Sequence, residues 1–205
     1  MARLPGRVRP VHDDLQSLQS LEQTGHLGSH LLHFDRLQRC RLVSGGRHHS
    51  HQGPPLGGRR KRGAFCHAIG RSRGGRTSKI HALTDELGRP FAFVVTAGNT
   101  HDLVGAAELL RRVPTPRQLI ADRAYDANKL RLWLAERGCQ PVIPPNPTRK
   151  HPAAYDHIAY KGRNLIERMF CRLKDFRRLA TRYDKRVDIY LSSVFLAAAI
   201  TWWAN

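Results

Sequence analysis

Acidic residues are scarce in this chain: sixteen Asp and Glu stand against thirty-five Lys and Arg, for a formal net charge of +19 and a pI near 11.1. Such an excess favours a polyanionic partner, of which nucleic acid is the commonest, with a basic surface that has no specific partner as the alternative. Paired cysteines are also missing. Cys40, Cys66, Cys139 and Cys171 are scattered with no CxxC pair, so neither a zinc site nor a disulfide framework follows, and a reducing cytosol is the simplest compartment. Nor is there a long hydrophobic run. The most apolar stretch, "DIYLSSVFLAAAITWW", is shorter than the roughly twenty residues that span a bilayer, so a buried core helix is expected and no membrane partner. "MARLPGRVRP" has no apolar run behind it, so no signal peptide is visible.

Orderly patterning is missing from the first third. Residues 1–67 carry eight of the twelve histidines, with "SGGRHHSHQGPPLGG" and "RRKRG". Gly, Pro and His at that density bury too little apolar surface to order a segment. The short mixed stretch "DLQSLQSLEQTGHL" is the one piece with some helical pattern, and the "HHSHQ" cluster lacks the framework of a metal site. A basic, largely disordered N-terminal segment over 1–67 is expected, followed by a folded unit over 68–205.

From Ala68 onward the pattern is regular. "SKIHALT" and "RPFAFVVT" predict two strands joined at the hairpin turn "DELG". "NTHDLVGAAELLRRV" predicts a helix opened by Asp102 as a cap. "RQLIADRAY" predicts a short strand, Leu119–Ala121, ending on Asp122. "DANKLRLWLAERG" predicts a helix with Asp126 as N-cap and Gly138 as its stop. "QPVIP" reads as a strand and "PPNPTRKHP" as a loop, and two helices close the chain. The order is that of an α/β fold.

The stretch "YKGRNLIERMFCRLKDFRR", Tyr160–Arg178, is the most informative. Read as one helix at about 100° per residue, it places Tyr160, Arg163, Glu167 and Lys174 within a wedge of about 60°. Leu165, Ile166, Met169, Phe170, Leu173, Phe176 and Leu179 fall on the other side and predict the buried face. Arg163 and Glu167 by themselves form an ordinary i,i+4 pair, worth a few tenths of a kcal/mol. Asp122 adds a second acid, at a strand end where a carboxylate projects from a sheet edge. Asp122 and Glu167 could converge on one divalent ion, and hard oxygen ligands suit Mg²⁺ or Mn²⁺.

The pattern Y-x2-R-x3-E-x6-K, filled by Tyr160, Arg163, Glu167 and Lys174, resembles the signature around the catalytic glutamate of bacterial insertion-sequence transposases with a DDE, RNase H-like domain. "GRSRGGRTSKIHALTDELGRPFAFVVTAGNTHD", "LIADRAYDA", "CQPVIPPNPTRK" and "YKGRNLIERMFCRLKDFRRLATRYDK" follow in the order of the branch related to insertion sequence five. The resemblance implies an RNase H-like mixed sheet with flanking helices and double-stranded DNA, at transposon ends and target, as partner. It also implies a homo-oligomer when active and a bacterial cytoplasmic, nucleoid-associated protein. Asp122 would be the second acid and Glu167 the third, both ligands of Mg²⁺ or Mn²⁺. Arg163 and Lys174 would contact phosphates, and Tyr160 would position the strand. In the family, two metal ions held by three carboxylates activate water to cut DNA ends, and the freed 3′-hydroxyl attacks target phosphates.

The first acid has no visible counterpart. Asp85 lies in a turn, Asp102 at a helix start, and Asp35 has no apolar strand around it. The sheet is therefore expected to lack its first strand, and the chain to be a truncated or damaged copy. The degenerate codons of "HQGPPLG", read from the second base, permit Ile-Lys-Ala-His-Arg-Ser, which resembles a block that follows the first catalytic Asp in this family. In the same shift "SGGRHH" permits Val-Asp-Gly, and "LQSLEQTGHLG" permits a run like the family's upstream helical block. Residues 1–67 thus read as largely out of frame. Two further function classes stay open: a non-catalytic DNA-binding remnant of a transposase, and a general basic RNA-binding protein.

Overall fold

A computed structural model describes residues 39–49, 68–72 and 75–204. The expectations for residues 1–38 and 50–67, with Asp35, "DLQSLQSLEQTGHL", "RRKRG" and most of "HHSHQ", lie outside the described residues. The strands are β1 (Arg39–His49), β2 (Gly70–Ser72), β3 (Gly75–Thr84), β4 (Pro90–Ala97), β5 (Gln118–Ala121) and β6 (Gln140–Val142). Between and after them come helices α1 (Asp102–Arg111), α2 (Asn128–Glu136), α3 (His157–Lys161), α4 (Asn164–Asp175), α5 (Arg177–Ala180) and α6 (Val187–Ala198). A π-helical extension, Ala199–Trp203, continues α6.

The sheet runs β3-β1-β5-β6, with β2 and β4 both pairing the outer side of β3. β1 is antiparallel to β3 and parallel to β5, and β5 is parallel to β6. Three antiparallel strands followed by two parallel ones, with the first in the middle, is the RNase H-like order. The mixed α/β sheet with flanking helices is therefore present, but the expectation that its first strand is missing is corrected. Arg39–His49 supplies it. Among the residues of this strand whose side chains are described, Cys40 and Leu42 enter the core, too few to announce a strand by apolar pattern. Hydrogen bonding on both edges places it instead, from Arg41 opposite Thr84 to His49 opposite Thr77, and from Arg39 beside Gln118 to Leu42 beside Ala121.

Helices cover both faces, the usual solution for a sheet with two apolar sides. On one face Leu42, Leu83, Leu119 and Ala121 pack with Leu103 and Leu109 of α1 and Leu130 and Leu134 of α2. On the other, Ile80, Ala82 and Phe93 pack with Ile166, Met169 and Leu173 of α4 and Tyr190 and Val194 of α6. Each large side chain so buried is worth about 1.5–3 kcal/mol against exposure. α1 lies close over β3 because Gly105 has no side chain: an ideal Cβ there would come 2.4 Å from the His81 ring.

The hairpin turn is as read. Asp85 Oδ1 accepts from Leu87 N and Arg89 N, and Gly88 takes φ +81°. Four local expectations need correction. Tyr160–Arg178 is not one helix: a turn at Gly162–Arg163 separates α3 from α4, and Phe176 is extended and exposed rather than core. α1 is capped by His101, whose Nδ1 accepts from Leu103 N at 3.3 Å. Asp102 instead pairs with Lys79, 2.9 Å away on β3. Asp126 does not cap α2, whose N-cap Ala127 has no side-chain bond, although Gly138 does follow it at φ +69°. Finally, α6 is core on one side only, since Ile189, Phe195 and Leu196 are exposed on the other.

Candidate active site and nucleic-acid interface

Strand alternation determines where Asp122 points. Leu119 and Ala121 enter the core under α1 and α2, so Asp122, one residue on, turns to the opposite face, towards α3 and α4. Its Oδ1 accepts from Ala124 N at 2.9 Å, which starts the single 3₁₀ turn Arg123–Tyr125. Burial pushes the Asp122 carboxyl above its ordinary range. The Ala124 amide and Arg163 pull it down, while the carboxylates of Asp102 and Glu167 push it further up. Asp122 thus lies within electrostatic reach of both Arg163 and Glu167.

Glu167 sits in the first turn of α4 with its side chain 50% exposed, and Arg163 Nη2 reaches its Oε1 at 2.8 Å. The i,i+4 pair is therefore real. The same guanidinium lies 5.7 Å from the centre of the Tyr160 ring, close enough for a cation–π contact. Tyr160 meets Tyr155 edge-on at 5.6 Å. Burial raises the Tyr160 phenol, with Arg163 opposing and Asp122 adding to it. The structure so brings together Asp122, Tyr160, Arg163 and Glu167. Lys174 lies on the stripe of Glu167 but about 10 Å further along the axis, exposed and without a hydrogen-bond or ion-pair partner among the described residues.

β1 passes alongside this group. Leu42 is level with Ala121, so the following residues run beside Asp122, and "RCRLVSGGRHH" contains no carboxylate. Among the described residues no group of three or more His, Cys, Asp or Glu is placed to hold a metal ion.

Sequence reasoning missed a clamp behind Asp122. The Asp126 side chain is fully buried and receives Arg131 Nε at 2.8 Å and Arg149 Nε at 2.9 Å. The Asn146 amide donates to it at 2.7 Å, and Arg131 Nη2 donates to Ile143 O at 2.6 Å. Burial alone would raise this carboxyl, but the bonds from Asn146, Arg131 and Arg149 hold it below the ordinary carboxylate range. The loop "PPNPTRKHP" is thereby tied to the turn that carries Asp122. Asp126 and Arg131 of "DANKLR" and Arg149 of "PTRK" are visible in the sequence, but nothing there joins the two stretches. Also missed was Arg41 of β1, buried beside Gly162 with Nη1 donating to Asp85 O at 2.7 Å.

The chain belongs to the transposase DDE domain family, whose model matches residues 44–202. It is 37% identical over 127 residues to a transposase assigned to insertion sequence element IS6501 of Brucella ovis, spanning 62% of this chain and 98% of that protein. It is 32% identical over 137 residues to one assigned to element IS402 of Burkholderia cepacia, 63% of whose length it spans. Among solved structures, a simian T-cell lymphotropic virus intasome in complex with a PP2A regulatory subunit matches 88% of this chain and 52% of its own at 11% identity and TM-score 0.48. The Mos1 strand transfer complex matches 98% of this chain and 64% of its own at 12% identity and TM-score 0.29. Both likenesses are too low to add to what the strand order shows. No helix among the described residues is long and apolar enough to cross a membrane.

Proposed function

We propose that this chain acts on insertion-sequence DNA, binding double-stranded DNA at the element's ends, and that its cleavage and strand-transfer chemistry is impaired. One observation carries the reading: half-buried Asp122 lies within electrostatic reach of Arg163 and Glu167, while β1 beside it offers no acid. Asp122 and Glu167 would hold one Mg²⁺ or Mn²⁺. Burial and neighbouring carboxylates raise Asp122, a strain that a divalent cation relieves, and both ligands are hard oxygens. Two carboxylates suit one ion weakly and do not suit the metal pair of a full DDE set. When bound, such an ion polarises a phosphate and acidifies water. Arg163 and Lys174 would hold phosphates, and Tyr160, with Arg163 against its ring, would keep the strand beside Asp122. The active family member is expected to be a homo-oligomer in the bacterial cytoplasm, associated with the nucleoid.

The alternative, a DNA-binding remnant with no chemistry, is favoured by the same missing acid. Mn²⁺ decides the site: it should broaden NMR signals at Asp122 and Glu167, and Glu167→Gln or Asp122→Asn should weaken its binding. Unchanged Mn²⁺ affinity in both variants removes the site. Efficient nicking of an element-end oligonucleotide by the 205-residue chain would overturn the impairment. Equal competition by duplex DNA and RNA at fixed salt would favour a general RNA binder. The upstream nucleotide sequence, read in the shifted frame, tests whether residues 1–67 are out of frame: an Asp codon there is expected.

A further inference from the structure

α4 carries two basic edges, of which Arg163 and Lys174 mark the first. Taking Arg163 as the origin at about 100° per residue, Lys174 and Glu167 lie near 20° and 40°. The buried side chains Met169, Leu173, Ile166 and Phe170 lie between about 240° and 340°. Arg168 and Arg172 lie near 140° and 180°, on the far side of the solvent face. Both are exposed and neither has a hydrogen-bond or ion-pair partner among the described residues. Arg89, Arg111, Arg112, Arg131 and Arg149 each hold a carboxylate, whereas Arg168 and Arg172, like the exposed Arg117, Arg123 and Arg177, hold none among the described residues. Of the acids on α4, Glu167 lies on the first edge, while Asp175, at about 120°, lies on the second but forms no ion pair with Arg168 or Arg172. Between the edges run Asn164 and Cys171, both exposed.

We propose that α4 docks into the major groove of duplex DNA, with Arg168 and Arg172 holding the phosphates of the strand opposite the one that Arg163 and Lys174 hold. The inference rests on the DNA-binding reading above. A helix about 10–12 Å across with its side chains fits a groove about 12 Å wide, and cations on its two flanks then meet the two backbones. A single phosphate track along Arg163 and Lys174 would leave Arg168 and Arg172 without a counterion. An RNA duplex does not admit the helix, since its major groove is deep and narrow.

The test uses the full chain and a random-sequence DNA duplex of about two helical turns. Arg168→Gln/Arg172→Gln should reduce the slope of log K against log salt by about two, and adding Arg163→Gln/Lys174→Gln should remove about two more. In a Cys66→Ser background Cys171 is the exposed thiol, since Cys40 and Cys139 are buried. The DNA duplex should shield it from a maleimide, and an RNA duplex of equal length should not. An unchanged slope in Arg168→Gln/Arg172→Gln, or equal slope losses and equal shielding with RNA, overturns the proposal and leaves DNA binding itself standing. A wild-type chain that shows no salt-dependent duplex binding overturns both.

Discussion

The guanidinium of Arg163 lies between two partners, 2.8 Å from the Glu167 carboxylate and 5.7 Å from the centre of the Tyr160 ring. It also acts on Asp122, pulling that carboxyl down while Glu167 pushes it up. Two substitutions should therefore move Asp122 in opposite directions. Arg163→Gln should raise its apparent pKa and Glu167→Gln should lower it, as followed by carboxyl carbon NMR shifts against pH. Shifts in the same direction would mean that Asp122 and Glu167 do not share an environment.

Removing the buried Asp126 carboxylate leaves Arg131 and Arg149 facing each other without a counter-charge. Asp126→Ala should cost about 3–5 kcal/mol in denaturant unfolding and release the loop at Asn146 to proteolysis. The pH dependence has a definite sign. The folded carboxyl titrates below its unfolded value of 3.8, so its stabilisation is present above that value and lost as pH falls through the folded pKa. The acid limb of wild-type unfolding should be steeper than that of Asp126→Asn.

His81 gives a second, higher window. Burial pushes its imidazole down from 6.5 to about 4, with Asp102 opposing and Lys79 reinforcing, while Nε2 shares a bond of 2.8 Å with Thr96 Oγ1. Above pH 6.5 the ring is neutral folded and unfolded, so nothing changes there. As pH falls from 6.5 towards 4 the unfolded chain takes up the proton and the folded one does not, which should cost about 3 kcal/mol across the window. Urea midpoints measured through that range should slope in wild type and flatten in His81→Gln.

Arg182, at 1% exposure, fastens the C-terminal segment to the start of β3. Its donors reach Asp184 O at 3.0 Å, Ala68 O at 3.2 Å and Lys185 O at 3.2 Å, as well as Ser78 Oγ. Its plane lies 4.7 Å from the Tyr190 ring centre. Arg182→Ala strands these acceptors and should destabilise by about 3 kcal/mol. Arg182→Lys, without the fork, should recover little of it, as calorimetry would show.

What the sequence by itself determined is what repeats locally. The apolar side of α4, the hairpin around Asp85, the short strand that ends on Asp122 and the stripe from Arg163 to Lys174 all follow from spacing within a few residues. Tertiary structure decided the rest. β1 has two core side chains between Arg39 and Leu42, and its central place comes from backbone bonds to β3 and β5, which begin about thirty-five and eighty residues later. Asp126 looks like a cap until Arg149, distant in sequence, is folded against it. The break at Gly162 sits where a side chain would meet buried Arg41, an ideal Cβ coming 3.0 Å from its Nη2. Periodicity records which face a residue turns to the core. It carries no record of which distant backbone or carboxylate will be waiting there.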